Sequence, residues 1–404
     1  MKVCVIGAGV IGCATAYQLA RQGCEVQLID AAQAPGLETS HANGAQLSYS
    51  YVEPFASPAT LRALPGLLLS RHSAVRFRPR WDWRQWAWGL QFLRACTARQ
   101  SLSGTAQLLQ LAQSSRAVLA QWMRDEHWDF GFAENGKLVL CPTADSLRHQ
   151  ERQVRLQAGM GCTQEVLGVQ ECLDKEPALR GATALQFAGG VWTRDECVGD
   201  PHRLCLALVE SVRRMGGTVS LGVQAQGFVR RGERIAALRT GVGDIAADAF
   251  VLAAGPRSPQ LAAPLGLRLP IEPIKGYSIT VPFRSGAVRP RASVTDLGRK
   301  TVFAPLGGQL RVAAMAEVGA MGLAVPARRV QAMVEAVAQT YPNLCVLDDP
   351  ATWAGLRPAT PTSVPIVGRW RGSNLYLNVG HGALGLTLAA GSAAALSQHL
   401  LQPA

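Results

Sequence analysis

The 404-residue sequence is short of negative charge, and its C-terminal part has none. Aspartate and glutamate number 28 against 40 lysines and arginines, and the cations are overwhelmingly arginine. No acidic residue follows Asp349, so Arg357 stands in an apolar, proline-punctuated stretch with no acid after it. A guanidinium is costly to bury without a partner. Three outcomes are open: exposure to solvent, a carboxylate from elsewhere in the chain, or an anion that is not part of the protein.

The sequence also lacks any pair of cysteines with metal-ligand spacing. Its ten cysteines are scattered, and none forms a C-x-x-C motif. No metal site is therefore expected, and thiols among apolar residues indicate a reducing compartment, so we expect a cytoplasmic protein. The basic balance is not accompanied by zinc-finger spacing or by clusters of lysine and aromatic residues. Nucleic acid is therefore not expected as a partner.

No charged residue occurs in residues 3–20, a length that approaches a membrane span. Three glycines fall in this stretch, and β-branched residues crowd its start. These features favour a strand over residues 3–6, a glycine turn and a helix over residues 10–22, rather than a span or a signal peptide. A second strand is predicted over residues 25–30.

The three glycines match the G-x-G-x-x-G fingerprint of dinucleotide binding: Gly7, Gly9 and Gly12. The first allows a tight turn, the second lets a pyrophosphate approach the backbone, and the third lets the helix pack on the strand. Val10 and Ile11 begin the helix, whose free N–H groups would meet the phosphates. Asp30 ends the second strand, where an acid can accept hydrogen bonds from a ribose hydroxyl. This fingerprint alone does not distinguish NAD from FAD.

The loop that follows favours a flavin. It reads ETSHANGAQLSYSY, and a polar loop of small residues suits the binding of an anion or a ring through backbone N–H groups. It resembles the loop that crosses the flavin in FAD-dependent amine oxidoreductases of the D-amino acid oxidase superfamily, most closely the bacterial D-amino acid dehydrogenases. Gln46 stands one place later than in the strictest form of that motif. The matching residues are Glu38, Thr39, Ser40, Asn43, Gly44 and Gln46.

Two later segments resemble further cofactor contacts of this superfamily. ADAFVLAAGPRS is a buried strand that ends in a small-residue turn, and NLYLNVGHGALGLTLAAG repeats the order of strand, glycine turn and helix. In the family the second helix points its N-terminus at the flavin pyrimidine, where a dipole stabilises negative charge. His381 stands in this turn and either assists the flavin or is structural. The contacts expected in the later part of the chain are Ala225, Ala254, Gly255, Gly382, Ala383, Leu384, Gly385 and Thr387.

The resemblance recurs in order over nearly the whole chain and implies an α/β fold of two parts. A Rossmann-like FAD-binding domain is expected over residues 1–48, 146–270 and 353–404. An α+β substrate-binding domain, built on an antiparallel sheet that covers the flavin, is expected over residues 49–145 and 271–352. The length of the chain also favours two domains.

Arg357 belongs to a G-L-R-P segment that resembles the one with which the superfamily anchors an amino acid carboxylate over the flavin. A planar guanidinium binds a carboxylate through two hydrogen bonds and fixes which Cα–H faces the ring. A salt bridge to a distant acid is the alternative. The resemblance implies that a D-amino acid loses a hydride from Cα to flavin N5. Water then hydrolyses the imino acid to a 2-oxo acid and ammonia.

Other side chains near this site have open roles. Tyr277 and either Tyr51 or Tyr49 are expected to line the substrate pocket, although a buried tyrosine is usually a packing residue. Lys275 either stabilises the reduced flavin or is a solvated edge residue. The catalytic candidates are Arg357, Tyr277 and His381, and the substrate-binding candidates are Arg357, Tyr51 and Tyr277.

Residues 61–100 hold eight arginines against a single acid, Asp82, together with four tryptophans. Such a mixture is typical of the interface with an anionic membrane. The D-amino acid dehydrogenases that the chain resembles are peripheral inner-membrane proteins that reduce quinone rather than oxygen. We therefore expect peripheral contact with the inner face of the cell membrane and a quinone or an electron carrier as acceptor. Packing of the tryptophans on the protein, or on a partner subunit, is the alternative.

Two other functions stay open. One is an oxidase or dehydrogenase that acts on glycine, on sarcosine, or on a cyclic imino acid such as D-proline or hydroxy-D-proline. An oxidase would form peroxide with air as its sole acceptor. The other is a flavoprotein subunit used mainly for assembly, in which no amino acid would bleach the bound flavin under anaerobic conditions.

Overall fold

The structure is a computed structural model that describes residues 1–69 and 75–401. Residues 70–74 of the basic, tryptophan-rich segment and residues 402–404 of the expected FAD-binding domain lie outside the described residues. Ten α-helices occur in the described part: α1 Val10–Arg21, α2 Pro58–Leu69, α3 Trp83–Ala95, α4 Ala98–Glu126, α5 Ala144–Ala158, α6 Val169–Lys175, α7 Pro201–Arg214, α8 Ser258–Ala262, α9 Ala327–Thr340 and α10 Gly385–Leu401.

A six-stranded sheet forms the Rossmann-like part. In spatial order its strands are β19 Ile366–Arg369, β20 Leu375–Val379, β13 Ala249–Leu252, β1 Lys2–Ile6, β2 Glu25–Asp30 and β9 Thr218–Leu221. All neighbours pair in parallel except β19 and β20. The predicted order of strand, turn, helix and strand at the start of the chain is confirmed by β1, α1 and β2.

The uncharged start of the chain is apolar because both faces of this sheet are covered. Four of the five residues of β1 are buried, as is typical of a strand inside a parallel sheet. Helices α1, α7 and α10 cover one face, in a core that also includes α4. A small antiparallel sheet packs on the other face; it consists of β10 Ala225–Arg231, β11 Arg234–Thr240 and β12 Gly243–Ile245.

Helix α10 has the length and composition of a membrane span but lies in the core of the protein. Of the most apolar window of Gly382–Leu401, 61% is buried. The helix packs against α1 and α4. Gly391 allows the close contact with α4. A Cβ at Gly391 would lie 2.6 Å from Leu111 O and 2.8 Å from Ser115 N. These contacts identify α10 as a core helix.

A nine-stranded sheet forms the second layer of the site. Eight strands lie in the order β18 Ala351–Ala359, β14 Glu272–Pro282, β17 Gln309–Val318, β16 Thr301–Leu306, β15 Ser293–Asp296, β5 Lys137–Cys141, β7 Gly189–Thr193 and β6 Glu165–Leu167, and β4 Val75–Phe77 pairs with β17. The pairing is antiparallel, as predicted, except that β5 pairs in parallel with β15 and β4 with β17. A two-stranded ladder joins β3 Gln46–Leu47 to β8 Cys197–Val198.

The sheet membership differs from the expected domain boundaries at two places. Strands β6 and β7 fall within residues 146–270, and most of β18 falls within the expected segment 353–404, yet all three pair in the nine-stranded sheet. Sequence motifs mark where elements begin and end but do not report on strand pairing between distant segments. We retain the division into an FAD-binding and a substrate-binding part as a proposal, with these three strands moved to the second part and α4, which packs in the core of the first sheet, moved to the FAD-binding part.

We expect Gly391→Ala to destabilise the protein, because the added methyl group has no space against α4. Overpacking of this kind costs about 1–3 kcal/mol, which thermal unfolding followed by circular dichroism would show as a lower Tm. The matched control is Gly89→Ala in α3, where nothing lies within 4 Å of the added carbon. Alanine has the better helix propensity, so the control should unfold at the same or a higher temperature. Equal losses in both variants would contradict the close contact of α4 with α10.

Candidate active site

The glycine turn between β1 and α1 requires glycine at two positions. Gly7 has φ +109°, and a Cβ there would lie 2.5 Å from Ala253 O. A Cβ at Gly12 would lie 1.7 Å from Gly7 O, so Gly12 lets α1 pack on its own turn, as the fingerprint predicts. Gly9 is the N-cap of α1, and the nearest atom to a Cβ there would be Ser40 Oγ, at 3.5 Å. The N-terminus of α1 is therefore open on this side.

Two polar side chains hold this turn in place. The carboxylate of Asp30 accepts hydrogen bonds from Ala8 N at 2.5 Å and from Ala32 N at 2.7 Å. The hydroxyl of Ser40 accepts one from Val10 N at 3.0 Å. A carboxylate has about four lone-pair sites, so Asp30 can fix the turn and still accept a hydrogen bond from a ligand hydroxyl.

A large cavity lies beside this turn, with a volume of about 1480 Å³. Small-molecule pockets usually measure ~300–1,000 Å³, so there is room for a dinucleotide and a substrate. Its walls are the glycine turn, the loop over residues 36–48, the start of β10, the turn after β13 and the N-terminus of α10, and the nine-stranded sheet covers it. Every predicted cofactor residue except Gly12 lines this cavity.

The loop that resembles the flavin-crossing motif is tied to the nine-stranded sheet. Thr39 Oγ1 donates a hydrogen bond to Leu356 O on β18 at 2.7 Å. Ser278 Oγ on β14 donates one to Ala42 O at 2.6 Å. Because the other end of the loop follows the parallel sheet, these bonds hold the two sheets in a fixed relation around the cavity.

The N-terminus of α10 forms another wall. Thr387 Oγ1 in its first turn accepts a hydrogen bond from Ser48 N at 2.9 Å. His381, just before the helix, is 3% exposed, and its Nε2 has no hydrogen-bond partner within the described residues. Burial lowers the pKa of His381 to about 3, so the imidazole is neutral at pH 7. It can bind the cofactor through a hydrogen bond but does not supply positive charge.

Arg357 lies half-buried on β18 and lines the cavity. Its Nη1 donates a hydrogen bond to Met315 O at 3.1 Å. No carboxylate in residues 1–69 or 75–401 forms an ion pair with it, and burial lowers its pKa with no charged neighbour acting on it. A guanidinium stays protonated under these conditions. The salt bridge to a distant acid is therefore wrong for the described chain, and an anion from outside the protein is the partner that fits.

A bulge between β14 and β17 makes room for this guanidinium. The register of the two strands shifts at Gly276, and Met315, in the bulged part of β17, has φ +69°. A Cβ at Gly276 would lie 2.5 Å from Cζ of Arg357. The absence of a side chain on β14 and the turned carbonyl on β17 together position the guanidinium.

Comparison with known proteins agrees with this arrangement. The family model DAO, described as FAD dependent oxidoreductase, matches residues 2–399. The chain belongs to this family. It is 42% identical to a protein named D-amino acid dehydrogenase 2 from Pseudomonas aeruginosa, over 99% of this chain and 94% of that protein. It is 41% identical to one of the same name from Ralstonia nicotianae, over 98% of this chain and 96% of that protein.

Solved structures share the fold of this DAO-family chain. Glycine oxidase from Geobacillus kaustophilus superposes with a TM-score of 0.77 at 21% identity, over 98% of this chain and 94% of that one. L-proline dehydrogenase from P. horikoshii superposes with a TM-score of 0.74 at 17% identity, over 99% of this chain and 93% of that one. The α/β class with a Rossmann-like part and a sheet-based second part is thus confirmed.

The family is FAD-dependent, and the cavity residues fit FAD. The N-terminus of α1 is open where a pyrophosphate would bind, and Asp30 is free to accept from a ribose hydroxyl. The buried Nε2 of His381 lacks a partner that a cofactor would provide. We propose that the glycine turn holds the pyrophosphate, and that the loop from Asn43 to Ser48 and the first turn of α10 hold the flavin ring.

Tyr277 is not where its sequence position suggested. It is 1% exposed and packs in the core on the far face of the nine-stranded sheet, and it does not line the cavity. Side chains alternate along a strand, and its neighbour Gly276 faces Arg357, so Tyr277 points away. Its assignment as a catalytic and substrate-binding residue is therefore wrong for this geometry.

Of the other candidates, one lines the cavity and two do not. Tyr51 lines the cavity, whereas Tyr49 is buried in the core of the FAD-binding part. Lys275 is 5% exposed and donates to Ala324 O at 2.6 Å. It neither lines the cavity nor lies at a solvated edge, so both roles considered for Lys275 are wrong.

Sequence reasoning missed several polar residues of the cavity wall, among them Ser48, Glu53, Lys137 and His149. Glu53 and His149 lie 3.8 Å apart, and they are separated by almost a hundred residues, so no local pattern announces the pair. Lys137 did leave a signal. It opens β5, KLVLC, all of which is buried, and a lysine in a fully buried strand needs a partner.

We expect Gly276→Ala to weaken anion binding in this cavity with little loss of stability. The three atoms nearest to the added methyl group all belong to the end of the Arg357 side chain, which can move aside, so the fold survives while the guanidinium is displaced. The Kd of a short unreactive carboxylate such as propionate, followed by the absorbance of bound FAD, should rise about tenfold, since a hydrogen bond to a charged group contributes about 1.5–3 kcal/mol.

The matched control is Gly227→Ala on β10, where nothing lies within 4 Å of the added carbon. It should leave both Tm and the carboxylate Kd unchanged. An unchanged Kd in Gly276→Ala would show that the position of the guanidinium does not depend on this glycine.

Proposed function

We propose that this protein oxidatively deaminates D-amino acids to 2-oxo acids and ammonia. The observation that carries the proposal is the unpaired guanidinium of Arg357 on the wall of the FAD cavity. Relatives at about 40% identity over almost the whole chain carry the name D-amino acid dehydrogenase. An amino acid supplies the carboxylate that this cation lacks.

Arg357 binds and orients the substrate. Its planar fork pairs with a carboxylate through two hydrogen bonds, and Gly276 and Met315 hold that fork still. A substrate gripped in this way presents one fixed Cα–H to the ring, which favours one enantiomer. When bound, FAD supplies the hydride acceptor at N5. Water hydrolyses the resulting imino acid.

The amine must reach the reaction as the neutral form. His381 is too weak a base to take the ammonium proton, because burial lowers its pKa to about 3. No dedicated base is required if the ammonium proton goes to solvent as the substrate enters. Tyr51 lines the cavity and contributes a substrate-facing wall.

An anaerobic screen of D- and L-amino acids against the FAD-loaded protein tests this function. We expect D-amino acids to bleach the flavin absorbance. Arg357→Met should lower kcat/KM about 30-fold or more, because removing one partner of a buried charge pair costs about 2–5 kcal/mol. The kcat/KM of Arg357→Lys should lie between those of the wild type and Arg357→Met, since an ammonium keeps the charge but lacks the planar fork. Bleaching by no amino acid in the wild type would contradict the proposal.

We further propose that electrons pass to a quinone or a carrier rather than to oxygen. Substrate turnover with air as the sole acceptor should then form little peroxide, whereas a quinone analogue should restore turnover. Rapid peroxide formation would instead favour an amine oxidase of the glycine, sarcosine or D-proline type.

The segment 61–100 supports a peripheral membrane contact in the part that the structure describes. Helix α3 carries an outward apolar stripe at helical spacing, with Trp83, Trp86, Leu90 and Leu93 between 46% and 61% exposed. Arg84 and Arg94 are exposed on the same helix. An amphipathic helix with tryptophan and leucine on one face and arginine beside it suits an anionic interface.

One tryptophan of this segment packs on the protein instead of facing outward. Trp88 is 6% exposed, stacks on Phe92 with ring centroids 5.3 Å apart, and donates from Nε1 to Ala359 O at 2.9 Å. It therefore anchors α3 to β18, the strand of Arg357. Trp81, in contrast, is fully exposed. We propose that α3 lies on the membrane with its inner face fixed to the active-site sheet.

We expect the wild type to sediment with vesicles that contain phosphatidylglycerol and to be released by salt, which screens the arginines. The double variant Trp83→Ser, Leu90→Ser should lose this binding and keep dye-linked activity, since both side chains are exposed. The matched control, Leu156→Ser with Leu206→Ser, removes exposed leucines elsewhere on the surface and should bind as the wild type does. Absence of wild-type binding would end the membrane proposal.

A further inference from the structure

Lys137 is a buried cation of the cavity wall that the proposed reaction does not use. It lies on β5, is 2% exposed, and lines the same cavity as Arg357. The neighbouring strand β15 contributes Thr295 to the same wall. An ammonium in such a place destabilises the fold unless its charge and its donors find partners.

The surroundings of Lys137 keep it charged but leave donors free. Its Nζ donates to Ser48 Oγ at 2.8 Å and lies 4.4 Å from the centre of the Tyr51 ring, a cation–π contact. Burial lowers the pKa of Lys137 to about 8, so the ammonium is the main form at pH 7. An ammonium has three donors, and within the described residues only the one to Ser48 has a hydrogen-bond partner.

Glu196 is the nearby carboxylate, yet it does not neutralise Lys137 directly. Its Oε1 accepts hydrogen bonds from Ser50 N at 2.7 Å and from Tyr51 N at 3.2 Å. Burial raises the pKa of Glu196, while Lys137 and these hydrogen bonds oppose the rise. The two residues form no ion pair among the described salt bridges. Glu196 therefore fixes the loop over residues 48–51, and Lys137 keeps donors for a ligand.

Ser48 connects Lys137 to the wall where we place the flavin ring. Its N–H donates to Thr387 Oγ1 in the first turn of α10. Two residues earlier, Gln46 Nε2 donates to Thr295 Oγ1 at 3.4 Å. Lys137 thus stands where the flavin-crossing loop meets the N-terminus of α10, which also favours negative charge.

We propose that Lys137 donates a hydrogen bond to a carbonyl oxygen of the bound flavin ring and that its charge favours the reduced cofactor. A cation in a cavity of low dielectric acts strongly on charge that develops nearby. A neutral His381 leaves this task to Lys137 and to the dipole of α10. The inference concerns FAD alone, so it holds or fails whichever substrate the protein oxidises.

The test is the midpoint potential of bound FAD, measured without substrate by anaerobic equilibration with a redox dye. Lys137→Met should lower the equilibrium constant for reduction at least tenfold, which equals about 30 mV for a two-electron couple. The matched control is Lys275→Met, which removes a buried lysine that does not line the cavity. Its constant should stay within twofold of the wild type.

The variant Glu196→Gln provides an independent test, in which the equilibrium constant for reduction should change in the opposite direction. It removes the negative charge beside Lys137 and should raise the same equilibrium constant, whereas a merely structural role would move only Tm. An unchanged constant in Lys137→Met would overturn the proposal. If Lys137→Met does not retain FAD, an unchanged or lowered constant in Glu196→Gln would overturn it.

Discussion

The unpaired charge of Arg357 is the constraint around which the active site is built. A half-buried cation without a carboxylate destabilises the ligand-free protein, and in the part of the chain that the structure describes the carbonyl of Met315 offsets this in part. The bulge of β17 and the bare backbone of Gly276 occur at the same place. An entering anion therefore meets a fork that is already in position, and little binding energy is lost in ordering a flexible side chain.

One loop ties the two sheets together beside this site. Thr39 and Ala42 bond to the nine-stranded sheet, and Ser48 bonds to Thr387 at the start of α10. The loop therefore ties the wall that we assign to the flavin to the strand that carries Arg357. Helix α3 is joined to the same strand by Trp88. Only α3 and β18 therefore separate a contact on the outer face of α3 from Arg357, the proposed substrate anchor.

The order of the elements was predictable from sequence, whereas side-chain directions were not. The strand predicted over residues 25–30 matches β2 residue for residue, and the strand predicted within NLYLNVG is β20, because turns mark the ends of both segments. The lack of acids after Asp349 correctly indicated an arginine without a local partner. The predicted roles of Tyr277 and Lys275 were wrong because the side of the sheet on which a side chain lies depends on strand register and on the bulge at Gly276. The local sequence pattern reveals neither. Lys137 was missed because its partner Ser48 is 89 residues away.

The alternation of side chains explains why a single sheet can line the cavity with one face and form a core with the other. On β14 the cavity side carries Gly276 and Ser278, while the far side carries Tyr277 and Ile279 in the second hydrophobic core. Small or hydroxylated residues leave space for a planar ligand, and large ones fill the interior. A shift of one residue in register would exchange the two sets and would place Tyr277 on the cavity side. The bulge at Gly276 therefore has to alter the backbone locally without changing the face on which the remaining residues lie, and the pairing of β14 with β18 stays unbroken across it.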